Sequence, residues 1–295
     1  MTNLSNFKFV KYHGLGNDYI IVNDIKYRIP EHLKPKIAKE LCKQHFSIGA
    51  DGLIFVNTSE QCDIEMRIFN NDGTEAEMCG NGIRCFVKYV YENHIVRKIS
   101  MEIDTLKGPI EAKLKFSKER ENDVDSVEIN MGSPVLECGK IPVISESNAE
   151  RCINENIVAM DKIFRFSAVS MGNPHAIIFV KKQLDDEDLS TYGSIIENKV
   201  KRFPNKINVE FVKVLSNQEC ILRVFERGVG ITNSCGTGSC AAVVVGVILG
   251  KFKKNNPVLV HNDGGDLKIT YTDDSVLMEG PIKKVFEGSI DELNF

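Results

Sequence analysis

The chain has 295 residues, of which 42% are hydrophobic and 26% charged, and its formal net charge is -4. A single core rarely grows past about 250–300 residues, so two domains are the natural expectation. The mild acidity gives no pull toward nucleic acid or an anionic membrane, and the most apolar run, CAAVVVGVIL at 240–249, is far shorter than the ~20 residues of a membrane span.

The opening MTNLSNFKFV has no charged segment followed by an apolar one, so no signal peptide is read and a cytoplasmic protein is expected. Residues 7–22 alternate as β-structure does and are interrupted by the turn-like HGLGND; this turn resembles part of a nucleotide loop but lacks the third glycine. Apolar spacing predicts a helix over 33–46, with Pro35 in its first turn. Strands are predicted at 52–56 and 64–69. Ile83, Phe86, Val87 and Val90 follow an i, i+3, i+4, i+7 pattern and predict a helix from just after Cys79 to about Tyr91. Strands follow at 99–103, 110–116 and 127–131. Residues 116–164, including the charged KERENDVD, are expected to connect two halves. The second half predicts a strand over 166–180, a helix over 189–200, strands at 209–214 and 221–225, and a helix over 238–249 that is apolar on every side and therefore buried. The basic KFKK at 251–254 reads as a solvated helix end or loop.

Two stretches repeat one pattern. MRIFNNDGTEAEMCGNGIRC (66–85) and LRVFERGVGITNSCGTGSC (222–240) place Arg67 and Arg223, Phe69 and Phe225, Cys79 and Cys235, and Gly82 and Gly238 at a constant separation of 156. The same separation relates Asn17 to Asn173, Phe55 to Phe211 and Gly108 to Gly264. We read an internal duplication: an α/β fold of the α+β type, two pseudo-symmetric domains, each with strands wrapped around a central helix. The expected boundaries are 1–130 with 282–295 for the half carrying Cys79, and 131–281 for the half carrying Cys235. Two such halves could face each other across a cleft and present one thiol from each side.

Each cysteine is followed by a glycine pair and then a helix, Cys79-Gly80-Asn81-Gly82 and Cys235-Gly236-Thr237-Gly238. The unpaired N–H groups of a helix N-terminus stabilise an anion, so both thiol pKa values are expected to fall toward neutrality, and a ligand carboxylate could be held there. Paired acid and base is the reading this supports: one thiolate removes a proton from carbon and the opposite thiol delivers one to the other face. A metal site is not expected, because the spacings are not C-x-x-C and no histidine accompanies them. A dithiol redox role and simple packing are the other readings. Nine cysteines, odd in number and without framework spacing, are expected to be free thiols, with Cys42, Cys62, Cys138, Cys152 and Cys220 as core or inert surface groups. No P-loop, complete dinucleotide loop or pyridoxal-lysine context is present, so no cofactor is expected. Glu226 and Arg227 align with Asn70 and Asn71, which makes the halves differ in charge. Arg227 could clamp a distal carboxylate and Glu226 pair with a distal ammonium; a surface ion pair is the alternative. Taken alone, His175 reads as a satisfied core histidine and the asparagines as turn formers.

HGLGNDYIIVND, RIFNNDGTEAEMCGNGIRC, SMGNPHAIIFV, RVFERGVGITNSCGTGSC and EGPIKKVFEG together resemble the diaminopimelate epimerases, from about residue 7 to the C-terminus. The resemblance implies a pyridoxal-independent enzyme that interconverts LL- and meso-diaminopimelate for lysine and peptidoglycan synthesis. It implies a small amino-acid substrate, no nucleic acid or membrane partner, and allows for a homodimer. Cys79 and Cys235 would be the two bases. Gly80, Asn81, Gly236 and Thr237 would hold the carboxylate at the reacting carbon. Asn17, Asn70, Asn173, Asn208, Glu226 and Arg227 would line the rest of the site, with His175 and Glu226 tuning the thiols. One departure stands out: some members carry glutamine in a GxDQL segment that contacts substrate, and here the segment is GADGL with Gly52 in that place. A proline or hydroxyproline racemase-type enzyme is the nearest competitor, but its substrates have no distal charged end for Glu226 and Arg227 to meet.

Overall fold

A computed structural model of the chain describes residues 3–117, 119 and 123–294. It divides into two compact units, Met1–Ile129 with Gly280–Phe295, and Asn130–Glu279. Among the described residues no helix is long and apolar enough to cross a membrane.

The first unit opens with a hairpin of β1 (Asn3–Gly14) and β2 (Asn17–Asn23). Its two turn residues, Leu15 and Gly16, have φ of 56° and 92°, as primed turns matched to strand twist require. A short α1 (Asp24–Tyr27) and a 3-10 turn (Glu31–Leu33) lead into α2 (Lys34–Leu41), with Pro35 in its first turn. The helix expected over 33–46 stops at Leu41. There Gly49 N–H bonds back to Leu41 O at 3.0 Å and Ala50 N–H to Cys42 O at 3.2 Å, which reverses the chain and leaves Phe46 89% exposed.

β3 (Gly52–Asn57) lies parallel to β2, and β4 (Ile64–Asn70) antiparallel to β3 with β5 (Glu75–Ala76) on its edge. Then come α3 (Gly80–Glu92), β6 (Ser100–Asp104), β7 (Ile110–Phe116) and β8 (Val124–Asn130). Strands bury alternate residues on opposite faces. Ile20, Val22, Leu53, Phe55 and Phe69 pack in one cluster with Ile37, Ala38 and Leu41 of α2. Helix α3 packs against β1–β4 and β7, and its Ile83, Phe86, Val87 and Val90 are fully buried. The strands therefore enclose α3, as the periodicity anticipates.

The second unit repeats this plan. β9 (Glu155–Ala159), β10 (Lys162–Ser170) and β11 (Pro174–Phe179) are antiparallel neighbours, so the strand expected over 166–180 is a hairpin. α4 (Asp186–Glu197) begins and ends about a turn earlier than expected, because Asp185 caps it by accepting from Asp188 N–H at 2.9 Å and three acids follow in the first turn. β12 (Asn208–Ser216), β13 (Glu219–Glu226) and β14 (Gly230–Thr232) precede α5 (Gly236–Ile248), and β15 (Val258–Asn262), β16 (Gly265–Tyr271) and β17 (Val276–Pro281) follow it. α5 packs on β10–β13 and β16 and is buried from Gly238 to Gly246. β18 (Lys283–Asn294) returns to the first unit and pairs with β1.

Strand register exposes the duplication at the level of single residues. Tyr19↔Gly52 in β2–β3 becomes His175↔Asn208 in β11–β12, and Leu53↔Phe69 becomes Val209↔Phe225. Ile68↔Ala76 becomes Val224↔Thr232, and α3 and α5 begin at 80 and 236. Each correspondence is 156 residues. After the helices the separation slips by one: Met101↔Ala112 becomes Val258↔Ile269. The counterpart of Gly108 is consequently Gly265, with φ of 108° and 131°, and not Gly264 as the ungapped count suggests.

Two further expectations change. Residues 116–164 are not a plain connection, since β8 and β9 lie within them; Lys118 and residues 120–122 of KERENDVD fall outside the described residues, as do Met1 and Thr2 of the opening segment. Cys138 and Cys152, expected as free thiols, are paired as a disulfide with Cα atoms 5.9 Å apart. An antiparallel bridge between Glu137 and Arg151, with Cys138 N–H donating to Glu150 O at 2.8 Å, brings the two segments side by side.

Candidate active site

In the first unit Cys79 is the N-cap of α3, in extended backbone (φ −140°, ψ 121°), and its side chain is half-buried. Tyr19 of β2 reaches it, with Oη 2.9 Å from Sγ. Burial, and then the adjacent Cys79, push the Tyr19 phenol well above its ordinary range, so it holds its proton. In the first turn of α3, Asn81 Nδ2 donates to Asn17 Oδ1 at 2.5 Å, and Asn17 Nδ2 donates to Asp51 Oδ2 at 3.2 Å. Fully buried Arg84 braces the turn from below, donating to Asn81 Oδ1 at 2.6 Å and Gly80 O at 3.1 Å. Cys79, Gly80, Asn81 and Asn17 are thus one group. Asn70 stands apart at the exposed end of β4, where its amide donates to Thr74 Oγ1 at 2.9 Å.

In the second unit Cys235 is the N-cap of α5, only 6% exposed. Its sulfur accepts from Gly238 N–H at 3.3 Å and lies 3.4 Å from Thr237 Oγ1. His175 of β11 and Glu210 of β12 are fully buried, with Nδ1 2.6 Å from Oε1, and His175 Nε2 lies 2.9 Å from Asn173 Oδ1. Asn208 donates to Pro174 O at 2.8 Å and accepts from Arg227 N–H at 2.9 Å, which fixes the backbone beyond β13. Glu226 accepts from Thr232 Oγ1 while Arg227 Nη1 donates to Asn205 O at 3.3 Å; the two side chains turn to different partners. A Cβ on Gly236 would sit 3.0 Å from Met278 Sδ, and one on Gly238 only 2.6 Å from Glu210 Oε1. Close approach therefore excludes a side chain at 238, and one at 236 would press on the flexible Met278.

Two expectations are corrected here. A histidine does accompany one cysteine: ligand atoms of His175, Glu210 and Cys235 lie within 4.8 Å of one another. Both ring nitrogens are already engaged, by Glu210 and Asn173, so the trio as it stands offers a cation no free imidazole lone pair. The second correction is electrostatic. Burial, then the carboxylates of Glu226 and Glu210, push the Cys235 thiol well above its ordinary range, against the smaller lowering by Thr237 and the Gly238 N–H. A helix N-terminus carries about half a charge, too little to offset desolvation and two carboxylates. Burial also raises the Glu210 carboxyl, opposed by His175.

Tyr19, Asp51, Arg84 and Glu210 were not among the residues singled out from sequence. One signal was present for the first: 175 minus 156 is 19, so Tyr19 is the counterpart of His175. Glu210 corresponds to Ile54, and nothing in the pattern marks it.

A sequence profile of diaminopimelate epimerase matches residues 9–137 and 167–285. The chain belongs to the diaminopimelate epimerase family. A diaminopimelate epimerase of Brachyspira hyodysenteriae is 47% identical over 285 residues, covering 97% of this chain and 99% of that protein. One of Bacillus cytotoxicus is 42% identical over 287 residues, covering 97% of each. Among solved structures, a phenazine biosynthesis protein of the PhzF family from Bacillus anthracis superposes with a TM-score of 0.72 at 18% identity, covering 98% of this chain and 99% of that one. A hydroxyproline epimerase of Agrobacterium vitis gives 0.69 at 13% identity, covering 100% and 93%. These distant likenesses establish that this member of the epimerase family shares the mixed α/β fold of that wider group.

Proposed function

We propose that the protein is a diaminopimelate epimerase, an isomerase of the lysine and peptidoglycan precursor route that works without pyridoxal phosphate or metal. The observation that carries the reading is the matched pair of thiols, each the N-cap of the buried central helix of its unit, in a chain of this family. In each turnover one sulfur, as thiolate, takes the α-proton, and the other, as thiol, gives its proton to the opposite face of the same carbon; the electron pair rests meanwhile on the carbon and its carboxylate. Burial and the Glu226 and Glu210 carboxylates favour the protonated form of Cys235, the form a proton donor needs. Helix N-terminal N–H groups at Gly80–Asn81 and Gly236–Thr237 are suited to the α-carboxylate, whose charge grows as the carbon is deprotonated. Asn17 braces the first of these turns, Asn173 holds the His175 ring and Asn208 fixes the backbone at Arg227; with Asn70 they line the rest of the substrate site, and Arg227 and Glu226 take the distal carboxylate and ammonium.

The test is incubation of LL-diaminopimelate with chelator-treated, dialysed protein and a thiol reductant in deuterium oxide. The meso isomer should appear carrying deuterium at the inverted α-carbon. Absence of both inversion and exchange, or activity that returns only on adding pyridoxal phosphate or a divalent metal, would overturn the reading.

A further inference from the structure

We propose that Tyr19 is the positioning residue of Cys79, holding its sulfur by an O–H donor and favouring the thiolate, in the place that His175 occupies in the second unit. The inference deepens the reading of Cys79 as a proton-transfer group and rests on it for its meaning, but not for its test. Three observations converge. The phenol oxygen lies 2.9 Å from Cys79 Sγ, and Tyr19 is 5% exposed, so the bond is made in a site largely closed to competing water. The paired registers put Tyr19 opposite Gly52 as His175 is opposite Asn208, so both residues enter from the same place in the repeated plan.

The third observation is the space around the ring. A Cβ on Gly52 would lie 2.8 Å from Phe69 O and 3.4 Å from the Tyr19 ring atoms Cδ1 and Cε1. Glycine at this position thus leaves the edge of the Tyr19 ring unobstructed. In the second unit the histidine is engaged by Glu210 and Asn173. In the first, the counterpart of Glu210 is Ile54, whose side chain has no acceptor, and the aromatic donor serves the sulfur directly. No proton leaves Tyr19: burial keeps the phenol protonated, and the hydrogen bond to sulfur strengthens when the sulfur is anionic.

The experiment compares wild type with Tyr19→Phe in the absence of substrate, measuring iodoacetamide labelling of Cys79 by peptide mass spectrometry across neutral to alkaline pH. Cys62, partly exposed and free, is the internal reference. Losing one charge-assisted hydrogen bond should cut the thiolate fraction about tenfold. The more basic sulfur regains part of this in intrinsic nucleophilicity, leaving Cys79 labelling about three- to fourfold slower. Its labelling curve should move to the alkaline side while that of Cys62 stays. A merely structural loosening would expose the sulfur and speed labelling. Unchanged or faster labelling of Cys79 would therefore overturn the proposal. A second measurement approaches from the other partner and does not need the Phe variant to fold. In Cys79→Ala, spectrophotometric titration should show one tyrosine ionising at lower pH than in wild type, and an unaltered titration would count against the bond. Failure of wild type to epimerise diaminopimelate would overturn the proposed function and leave these two results standing.

Discussion

Cys79 and Cys235 each sit at a helix N-cap, yet their surroundings differ: a phenol beside one, and two carboxylates, Glu210 buried and Glu226 half-buried, around the other. If each is the base of one direction and the acid of the other, Cys79→Ala and Cys235→Ala should both lower epimerisation in both directions, by about 10²–10⁴-fold, as expected for loss of a general acid or base. Near-normal conversion of LL- to meso-diaminopimelate by either variant would remove that residue from the assignment. Glu226 offers a finer test. Its carboxylate helps push the Cys235 thiol up, so the thiolate is scarce at neutral pH and labelling of Cys235 should rise only on the alkaline side. Glu226→Gln removes a negative charge that opposes the thiolate. Labelling of Cys235 at neutral pH should then rise several-fold, by less than the recovered thiolate because the less basic sulfur is a weaker nucleophile, even as turnover falls; slower labelling would reverse the sign of the effect. The thiols were legible in the sequence because a reactive residue type recurs at a fixed separation before matched glycines. Glu210 was not, because a lone glutamate reads as surface, and Tyr19 was marked only by its separation of 156 from His175, since an aromatic within a β-rich run otherwise reads as core. Their roles exist only once parallel strands carry them to a helix N-terminus.

At the scale of elements, α5 shows which physical term wins. Its VVVGVI run has β-branched residues that favour strands, and local preference alone leaves helix and strand open. Burial on all sides decides for helix: Gly238 to Gly246 are enclosed by β10–β13 and β16, and a helix satisfies its own backbone there without edge partners. Gly246 has a steric reason. A Cβ at this position would fall 2.2 Å and 2.4 Å from Cδ2 and Cε2 of the Phe252 ring, itself 4% exposed. Alanine is about 1 kcal/mol better than glycine inside an open helix. Here overpacking against a stiff buried ring should cost about 1–3 kcal/mol, so Gly246→Ala should lower the melting temperature despite its propensity. Pairing it with Phe252→Leu should recover part of the loss, a non-additivity read by a double-mutant cycle. A rise in stability for the single change would show the ring free to move. Helix α3 was legible because its periodicity survives, and α5 because the separation of 156 aligns it with α3; the hairpin of β10 and β11 was not, since its apolar residues run on as one strand. The end of α2 was not, since backbone bonds from Gly49 and Ala50 terminate it and no cap residue signals them. The slip that matches Gly108 to Gly265 was equally hidden, because one added residue beyond a helix leaves each glycine with a plausible neighbour.

At the scale of the molecule, the second unit is one continuous segment, whereas the first is closed by a strand from the far end of the chain. β18 pairs with β1 from Asn3↔Asn294 to His13↔Lys283, with one shift of register between Lys11 and Tyr12. The fit is close: the Phe9 and Phe286 rings meet edge to face at 5.9 Å, and a Cβ on Gly288 would lie 2.9 Å from Phe9 Cζ. Phe7, Phe9 and Leu293 share a core cluster with Cys42 of the first unit. Contacts spanning almost the whole sequence carry a large loop-closure cost and form late in folding. Removing residues 283–295 should therefore unpair β1, open that cluster to water and destabilise the first unit selectively. Cysteine protection reports this without reference to activity. Cys42 is 2% exposed with its thiol pushed up to about 12 by burial, and Cys220 is fully buried in the second unit with its thiol pushed up to about 12 for the same reason. In the intact chain both should resist a pulse of thiol reagent. In the truncated chain Cys42 should label rapidly while Cys220 stays protected, because its own strand, β13, keeps its neighbours β12 and β15. Equal protection of both would show that the first unit holds without its closing strand. Equal loss would show that the two units unfold as one cooperative body, in which case the terminal strand stabilises the second unit as much as the first.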